Sequence, residues 1–436
     1  MKISLPASFC LLLGCAVQTS AQPYISYLTG DTADVVTQPL PGIVLAGGAG
    51  DDNNAMKWML QRADSGDVVV LRVSNSNGYN NYFYSSLGIP VNSVETLVLP
   101  SVDAASHPYV DQRIRQAEVL FIAGGDQAEY VTYWKNTPVE DAINFLIHEK
   151  KVTVGGTSAG CAIQGQAYFS ALNGSVGSQQ ALNSPYSGLM TLGYDDFLQH
   201  PALQRVITDT HYDNPDRQGR HFAFLARLTT DYSIRAMGIG VDEYTAVCID
   251  ENGIARVYGE YPNYDDYAYF LQANCVEPFH PEVCQAGQKI TWNRNQQAVK
   301  VYRVPGTKSG QYFFDLNDWK SGSGGTWQDW YADQGQFAVN DSATPADCSV
   351  GWGPYPEASA VLYPNPSDGW IRVQLPKTPG ASELELHAID GRRVWLWPVM
   401  PYTADLTLSL HNLPAGYYLL VWRNADHQLA RTVLIR

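Results

Sequence analysis

The chain has 436 residues, of which 45% are hydrophobic and 12% aromatic, so it has enough apolar side chains for two or three folded domains. It carries 43 acidic against 28 basic residues, a formal net charge of -15. Because phosphate backbones are bound by clustered Lys and Arg, this balance speaks against a nucleic-acid partner.

The first residues predict a secretory signal peptide. A lysine precedes an apolar stretch over residues 3–17, and small residues follow at 19–21, so we expect a signal peptide over residues 1–21 that is cleaved after Ala21. Residues 12–15 also resemble a bacterial lipoprotein box, and a lipid on Cys15 is the alternative. The apolar stretch is short for a membrane helix, which needs roughly 18 consecutive apolar residues.

From residue 42 onward, strand-like and helical segments alternate. Short runs rich in Val, Ile and Leu, without polar alternation, are typical of strands that are covered on both faces. These runs are GIVLAGGAG, DVVVLRVS, VETLVLP, AEVLFIAGGDQ and KVTVGGTSAG. The segments between them have apolar residues at helical spacing. We therefore predict an α/β domain with an open, flavodoxin-like parallel sheet, helices on both faces, and ligands bound at the carboxyl ends of the strands.

The remainder of the chain is predicted to be rich in β-structure. We expect a hairpin around residues 251–253. The aromatic-rich residues 288–338 are assigned to the same domain, since no linker-like break precedes them. Pro, Gly and polar residues cluster later, at 345–357. We therefore predict a first domain over residues 22–350 and a small all-β sandwich over 358–436.

Five cysteines lie beyond the leader. Cys275, Cys284 and Cys348 have polar, loop-like surroundings and are the candidates for a disulfide, with Cys275 and Cys284 as the first choice. Cys161 and Cys248 stand in apolar sequence and are predicted to be buried thiols.

Residues 156–160 read Gly-Thr-Ser-Ala-Gly, directly after a predicted strand. G-x-S-x-G is the strand-to-helix elbow that exposes a serine hydroxyl, because small neighbours allow a sharp backbone turn. Ser158 is therefore a candidate nucleophile, and the backbone N–H of Ala159 is a candidate donor to an oxyanion. The alternative is a glycine-rich turn in which Ser158 only caps a helix.

Two other segments complete a candidate site around this serine. The loop at residues 124–127 ends the neighbouring strand, so backbone N–H groups of Gly125 and Asp126 are further candidate oxyanion donors. His211 follows an apolar run and is placed to reach Ser158 as a general base. Such a pair carries out acyl transfer, and the usual result is hydrolysis of an amide or ester.

Together these motifs resemble the peptidase E and cyanophycinase group of serine hydrolases. The likeness covers residues 42–259 and rests on GGDQ, GTSAG, DTH, RQGR and GIGVDEYTA. The resemblance implies a sheet like that of class I glutamine amidotransferases, Ser158 as the nucleophile and His211 as the base, with no cofactor and no metal. It also implies a pocket for a peptide substrate lined by Gln127, Asp209, Arg217 and Arg220.

The family's substrates are aspartyl peptides, including the β-linked aspartate–arginine units of cyanophycin. Arg217 and Arg220 suit such substrates because a guanidinium binds a carboxylate in a forked geometry, although surface ion pairs are an alternative role for both. Thr210 and Pro215 stand where cyanophycinases tend to have Gln and Arg. Cyanophycin itself is therefore not the expected substrate.

The third catalytic member is left open by the sequence. In the family it is an acidic residue shortly after the nucleophile, but no Asp or Glu occurs between Ser158 and Asp195. The alternatives are Asp195, Asp196 or no acid at all.

The last 75 or so residues resemble the C-terminal sorting domain of the type IX secretion system found in Bacteroidetes. The likeness rests on LYPNPSDGWIRV, DGRRV, LPAGYYLLV and the terminal RTVLIR. It implies periplasmic transit, the type IX machinery as a partner, and a protein that is secreted or held at the outer-membrane surface of a Gram-negative bacterium. An ordinary β-sandwich adhesion module is the alternative.

Two further interpretations compete with a serine hydrolase. A metal-dependent hydrolase would use the cluster Asp209, His211, Asp213, Asp216 and His221, whose spacing matches no zinc or calcium pattern. A catalytically impaired binding protein would stack sugars on Trp319, Trp327, Trp330 and Tyr331. The oligomeric state is open, with a homodimer as one alternative.

Overall fold

The computed structural model describes residues 22–74, 76–275, 279–342 and 344–345, and then 361–363, 365, 367, 369–375, 382–388, 392–400, 405–423 and 428–436. The predicted signal peptide, the lipoprotein alternative, Cys348 and both predicted domain boundaries, 350 and 358, lie outside the described residues. Among those described, no helix is both long and apolar enough to cross a membrane.

The described residues of the first domain contain 18 strands. In chain order they are β1 (Ile25–Gly30), β2 (Gly42–Ala46), β3 (Asp67–Arg72), β4 (Ser93–Val98), β5 (Val119–Ile122), β6 (Thr153–Thr157), β7 (Ala167–Phe169), β8 (Leu192–Tyr194), β9 (Val206–Asp209), β10 (Met237–Val241), β11 (Ala246–Ile249), β12 (Ile254–Tyr258), β13 (Tyr267–Ala273), β14 (Val299–Pro305), β15 (Phe313–Asp315), β16 (Gly322–Ser323), β17 (Thr326–Asp333) and β18 (Gln336–Ser342).

The helices are short, and several begin at a polar cap. They are α1 (Asn53–Gln61), α2 (Gly78–Asn81), α3 (Val102–Ala105), α4 (Pro108–Gln116), α5 (Gln127–Trp134), α6 (Pro138–Phe145), α7 (Ala159–Ala162), α8 (Ser178–Asn183) and α9 (Gln218–Tyr232). Helix α1, for example, begins after Asp52, whose carboxylate accepts hydrogen bonds from the N–H groups of Asn54 and Ala55. Single π-helical turns follow α2 and α6, at Tyr82–Ser86 and Leu146–Lys150.

The five strands predicted from the Val/Ile/Leu runs are β2 to β6, and they form the parallel centre of a ten-stranded mixed sheet. The strand order is β1-β4-β3-β5-β6-β2-β11-β12-β15-β16. A flavodoxin sheet places its first strand second, in the order 2-1-3-4-5. Here β2, the first of the five, lies at the far end beside β6. The parallel sheet is therefore confirmed, whereas the exact flavodoxin-like strand order is not confirmed.

Strand β3 shows why these runs are unbroken by polar residues. Successive side chains of a strand point to opposite faces. Val68 and Val70 accordingly join the core beneath α1, while Val69 and Leu71 join the core beneath α4, α5 and α6. Helices therefore cover both faces of the parallel centre, as predicted.

A second sheet of eight strands has the order β18-β17-β14-β13-β10-β9-β7-β8. It includes β14, β17 and β18 from the aromatic-rich region, so these strands lie in one sheet with β13, β10 and β9. The predicted hairpin is the antiparallel pair β11 and β12. Ile43 of β2, Val206 of β9 and Ile239 of β10 share one core between the two sheets. This shared core fixes the carboxyl end of β9 relative to that of β6.

The aromatic run is part of the cores. Trp319 is 7% exposed and Trp330 is fully buried, while Trp327 and Tyr331 pack against the same apolar clusters. The sugar-stacking surface of four rings is therefore wrong, because Trp319 and Trp330 are buried and only Trp327 and Tyr331 remain partly exposed.

The cysteines differ from the predicted pairing. Cys275 is disulfide-bonded, but Cys284 is a free, buried thiol, so a bond between these two is ruled out. Cys161 and Cys248 are free and buried, as predicted. Cys284 lies in an apolar core, and the polar residues around it in sequence do not reveal this.

The C-terminal region is an all-β sandwich, as predicted. Its three-stranded and four-stranded sheets enclose one apolar core that includes Ile371, Leu386 and Trp422. The strands are β19 (Val361–Tyr363), β20 (Trp370–Gln374), β21 (Ser382–Ala388), β22 (Arg393–Val399), β23 (Asp405–Ser409), β24 (Gly416–Arg423) and β25 (Gln428–Ile435).

Helix α7 packs so closely on β5 that a Cβ atom at Gly160 would lie 2.1 Å from the carbonyl oxygen of Ile122. We predict that Gly160→Ala lowers the free energy of unfolding by about 1–3 kcal/mol or more, although alanine is otherwise the better helix former. The matched control is Gly188→Ala, since a Cβ at Gly188 has no neighbour within 4 Å. Urea unfolding followed by fluorescence measures both, and equal midpoints would contradict the close packing.

Candidate active site

Ser158 occupies a strained turn between β6 and α7. Its backbone has φ 52° and ψ -118°, a conformation that costs a non-glycine residue about 1–3 kcal/mol. Its N–H donates to the carbonyl oxygen of Ala46 at 3.0 Å, which ties the turn to β2. At Gly156 a Cβ would lie 2.3 Å from the carbonyl oxygen of Gly160, so the turn requires glycine there. The Ser158 side chain makes no capping bond to α7, and the helix-cap alternative is wrong.

His211 meets this serine from the second sheet. The Oγ of Ser158 and the Nε2 of His211 are 2.8 Å apart. His211 lies two residues after β9, has φ 47°, and donates its backbone N–H to Gly47 at 2.8 Å. A Cβ at Gly48 would be 2.5 Å from Nε2, so the glycine loop after β2 forms the floor beneath the imidazole. The two predicted residues are thus brought together.

Glu243 holds the other side of the imidazole. Its Oε1 is 2.6 Å from the Nδ1 of His211, and its Oε2 accepts from the Nδ2 of Asn214 at 3.2 Å. The hydrogen bond from His211 is the main reason that the pKa of Glu243 is lowered. An ionised carboxylate only accepts hydrogen bonds, so Nδ1 carries the proton, and Nε2 is left to accept from the serine hydroxyl.

The sequence-based candidates for this acid are wrong. Asp195 accepts from the Nε2 of Gln166 at 2.7 Å and pairs with Arg431 at 2.8 Å. The carboxylate of Asp196 contacts the hydroxyl of Tyr168 and the ammonium group of Lys135. Neither carboxylate contacts the imidazole.

The strand pairing, which the sequence does not reveal, identifies Glu243 as the acid. This residue follows β10, which is parallel to β9, so their carboxyl ends meet at one edge of the sheet. Its neighbour Asp242 does not compete for the histidine, since it is buried and its Oδ2 accepts from the N–H of Tyr267 at 3.1 Å. Burial raises the pKa of Asp242 to about 8.

The loop after β5 lies against the serine. A Cβ at Gly124 would be 3.4 Å from the Cβ of Ser158. The carboxylate of Asp126 caps α5 by accepting from the N–H of Ala128 at 2.9 Å. The backbone N–H groups of Gly125, Asp126 and Ala159 find no acceptor in the described part of the chain. These three residues line the same cavity as Ser158, so their N–H groups are candidate donors to an oxyanion.

A cavity of about 300 Å³ opens at Ser158. Its lining residues are Gly125, Asp126, Gln127, Ser158, Ala159, Ala171, Gly174, Ser175, Thr210, His211, Arg217 and Arg220. All the sequence-predicted site residues except Asp209 line it. The wall at residues 171–175 was not predicted, because nothing in that sequence shows that this loop returns to the pocket.

Asp209 was expected in the pocket, but it is 2% exposed and bound to Arg220, which is 3% exposed. The Nε and Nη2 atoms of Arg220 reach the two carboxylate oxygens at 2.8 and 2.5 Å. Burial alone would raise the pKa of Asp209, but the Arg220 charge outweighs it and the pKa is lowered. The Nη1 atom of Arg220 reaches the hydroxyl of Ser175 at 3.3 Å. This ion pair therefore positions the 171–175 wall.

Arg217 has no such counter-ion. Its Nη1 donates to the carbonyl oxygen of Thr210 at 2.8 Å, and no carboxylate of the described residues lies in salt-bridge distance. Burial and the neighbouring Arg220 charge lower the pKa of Arg217. The pocket therefore contains an unpaired cation that suits an anionic ligand.

The metal-dependent alternative finds no support. No group of three or more potential metal-ligating side chains occurs among the residues that the structure describes. The side chains of the proposed cluster turn to different partners, and His221, for example, is buried against the hydroxyl of Tyr212.

Ser158, His211 and Glu243 are linked in series at the carboxyl ends of strands from two sheets, an arrangement that also occurs in hydrolases that activate a serine. Residues 72–257 match the model described as peptidase family S51, and residues 361–436 match that of the secretion system C-terminal sorting domain. The chain therefore carries a peptidase family S51 domain followed by a secretion sorting domain, which confirms both resemblances. The sorting domain supports export to the cell surface or beyond.

The chain is also similar to curated cyanophycinases. It is 28% identical to that of Synechococcus elongatus over 233 residues, which are 50% of this chain and 66% of the relative. It is 25% identical to that of Nostoc sp. (strain PCC 7120 / SAG 25.82 / UTEX 2576) over 167 residues, 38% of this chain and 51% of the relative. The chain thus spans about two thirds of the first relative and half of the second.

Two solved structures are similar at lower identity. A peptidase from an acI-B1 Actinobacterium is 14% identical with a TM-score of 0.37, covering 53% of this chain and 91% of that one. A putative peptidase E protein from Listeria monocytogenes EGD-e is 16% identical with a TM-score of 0.31, and the match covers 51% of this chain and 99% of that one.

Substitution of the two pocket arginines should affect stability to very different extents. Arg220→Ala should lower the free energy of unfolding by about 3–5 kcal/mol, because it leaves the Asp209 carboxylate buried and unpaired. Arg217→Ala leaves no carboxylate unpaired and should change the free energy of unfolding by less than about 1 kcal/mol. Denaturant unfolding of both variants at neutral pH measures the difference.

The same pair predicts a pH dependence with a definite sign. The folded-state pKa of Asp209 is lowered, so the stability from its ion pair is present above the ordinary carboxyl pKa and is lost as pH falls through the folded-state pKa. The stability gap between the native chain and Arg220→Ala should therefore narrow on acidification. A gap that widens in acid would contradict the ion pair.

Proposed function

We propose that the chain is a secreted serine peptidase that hydrolyses an amide or isopeptide bond in aspartyl-type peptides. The observation that carries this proposal is the continuous series from Ser158 to His211 to Glu243, with contacts of 2.8 and 2.6 Å. The peptidase family S51 match supports peptide hydrolysis, and the sorting domain supports secretion with the type IX machinery as a partner.

In the first half of the reaction, the Oγ of Ser158 attacks the scissile carbonyl carbon while its proton passes to the Nε2 of His211. The imidazolium that forms is stabilised by the ionised carboxylate of Glu243, which also holds the ring in the required tautomer. The tetrahedral intermediate collapses as His211 gives this proton to the leaving amine. The C–N bond breaks, and an acyl-serine ester remains.

In the second half, a water molecule takes the place of the amine. His211 removes its proton, the hydroxide attacks the ester, and Ser158 is released with its proton restored. In both halves the negative charge develops on the carbonyl oxygen. The free N–H groups of Gly125, Asp126 and Ala159 are the donors that stabilise this charge.

Arg217 gives the pocket its preference for an anionic substrate. An isopeptide bond through an aspartate side chain leaves the α-carboxylate two carbons from the scissile carbonyl. Arg217 lines the same cavity as Ser158 and lacks a protein counter-ion, so it is suited to bind this carboxylate. Gln127, at the start of α5, adds a side-chain amide to the same wall.

The alternative is a catalytically impaired binding protein on the same fold. Asp209 was assigned to the substrate by resemblance, but its carboxylate is bound by Arg220. This residue of the family's pocket therefore has a structural role here. A peptide would then bind at Arg217 without being cleaved.

A fluorophosphonate probe distinguishes the two. We expect the folded native chain to be labelled at Ser158, and Ser158→Ala to remain unlabelled, whereas Ser175→Ala, which removes another pocket hydroxyl, should be labelled. Because the base and its orienting acid act as one unit, His211→Ala and Glu243→Gln should slow labelling by about 10³–10⁴-fold. Peptide mass spectrometry locates the label.

The outcome that supports the impaired binding protein is a folded native chain that stays unlabelled at neutral pH. Label on Ser158→Ala would contradict the assignment of the nucleophile.

Substrate charge gives a second test of the proposal. On an isoaspartyl dipeptide, Arg217→Met should lower kcat/KM by about 10²-fold, since it removes a charge-assisted hydrogen bond to the α-carboxylate. On the same dipeptide with an α-carboxamide, Arg217→Met and the native chain should hydrolyse at similar rates. An equal loss on both substrates would show that Arg217 does not bind the carboxylate.

A further inference from the structure

The sorting domain rests on the peptidase domain through arginine side chains. Arg372 of β20 contacts both carboxylate oxygens of Glu149. Arg431 of β25 places its Nε 2.8 Å from a carboxylate oxygen of Asp195. Glu149 lies in the π-helical turn before β6 of the first sheet, and Asp195 directly follows β8 of the second, so the sorting domain bridges segments next to both sheets.

Two more contacts extend this surface. The C-terminal residue, Arg436, donates to the carbonyl oxygen of Asn136 in the turn between α5 and α6. The ring of Tyr363 stacks on the imidazole of His148, with ring centroids 4.5 Å apart and planes within 12° of parallel. Charged, backbone and aromatic contacts therefore occur together.

His148 is unusual because it is only 4% exposed and neither ring nitrogen has a hydrogen-bond partner among the residues described. Burial lowers its pKa to about 4, so the ring is neutral near neutral pH. A neutral imidazole without polar partners is a flat, weakly polar surface, which suits stacking against an aromatic ring.

This surface lies at the opposite edge of the sheets from Ser158. Glu149 precedes β6, and Ser158 follows it, so the five-residue strand separates them by roughly 16 Å. Asp195 directly follows β8. The last residue of β8, Tyr194, pairs with Ala167, and Ala167 in turn pairs with Ile207 near the start of β9. His211 follows the other end of β9. None of the residues that line the cavity belongs to the sorting domain.

We propose that Asn136, His148, Glu149 and Asp195 form a docking seat for the chain's own sorting domain, and that this seat leaves the Ser158 site open while the sorting domain is attached. The second half of the proposal rests on the proposed peptidase function. The occupant is defined by its three arginines, which match two carboxylates and a backbone carbonyl, and by Tyr363, which covers His148.

The test uses the full chain with cysteine pairs placed across the seat. Glu149→Cys with Arg372→Cys, and Asp195→Cys with Arg431→Cys, are two independent pairs, so loss of folding in one leaves the other informative. A short bis-maleimide should join each pair, as read by mass spectrometry of tryptic peptides. The free thiols Cys161, Cys248 and Cys284 are buried and should react slowly.

The matched control is Glu260→Cys with Arg431→Cys. Glu260 lies just after β12. Tyr258 of β12 pairs with Ala246, which pairs with Ala46 at the carboxyl end of β2. Glu260 is therefore at the edge of the sheet where Ser158 lies. Its side chain is 39% exposed and available to the reagent. This pair should not be joined.

Labelling of Ser158 by the fluorophosphonate is then compared before and after cross-linking. Equal rates support an open site with the sorting domain docked. Failure of both pairs to cross-link in folded chains would overturn the docking seat. Cross-linking that abolishes labelling would overturn the open site, whereas an absence of labelling in both states would overturn the proposed function and leave the docking seat standing.

Discussion

The hydrogen bond between Ser158 and His211 depends on two sheets that end at the same place. Ser158 directly follows β6 of the first sheet, and His211 lies two residues after β9 of the second. The 2.8 Å contact exists because these two strands present their carboxyl ends to each other. The core between the sheets fixes that relation, with β2 and β10 contributing to the same cluster. Close packing there resists sliding, so the geometry of the site is set by the architecture and not by loop adjustment.

Charge at the site is arranged by pairing some groups and leaving others unpaired. Glu243 and Asp242 are neighbours in sequence, but the hydrogen bond from His211 lowers the pKa of the first and burial raises that of the second. Arg220 and Arg217 show the same division, since Arg220 neutralises buried Asp209 while Arg217 keeps its charge for the cavity. Neighbouring ionisable groups whose pKa values are shifted in opposite directions are characteristic of sites in which each group has its own chemical role.

Local features of this chain could be predicted from the sequence because their causes are local. The five parallel strands follow from runs that are apolar on both faces, and the elbow follows from glycines whose Cβ atoms would collide with the backbone. Residues that approach from distant segments could not be predicted in this way. Glu243 lies 85 positions after Ser158, and only the parallel pairing of β9 with β10 shows that it faces His211.

Other features depended on tertiary burial that composition does not reveal. Cys284 has polar neighbours in sequence but a buried thiol, and Asp209 fits a binding motif but is neutralised by Arg220. The position of β2 at the far end of the parallel strands also depends on long-range pairing. Its run of apolar residues predicts a strand but carries no information about which neighbours it takes.

The pairing of β2 also fixes when the candidate site can be assembled. Gly42 pairs with Thr153 on one edge of this strand, and Ile43 pairs with Ile249 on the other. The earliest strand of the parallel core therefore cannot complete its pairing until these later residues are present. Glu243 lies just before the second of those partners. In a chain whose latter half is unfolded, Ser158 therefore lacks both His211 and Glu243, and the three residues come together only once the second sheet has formed.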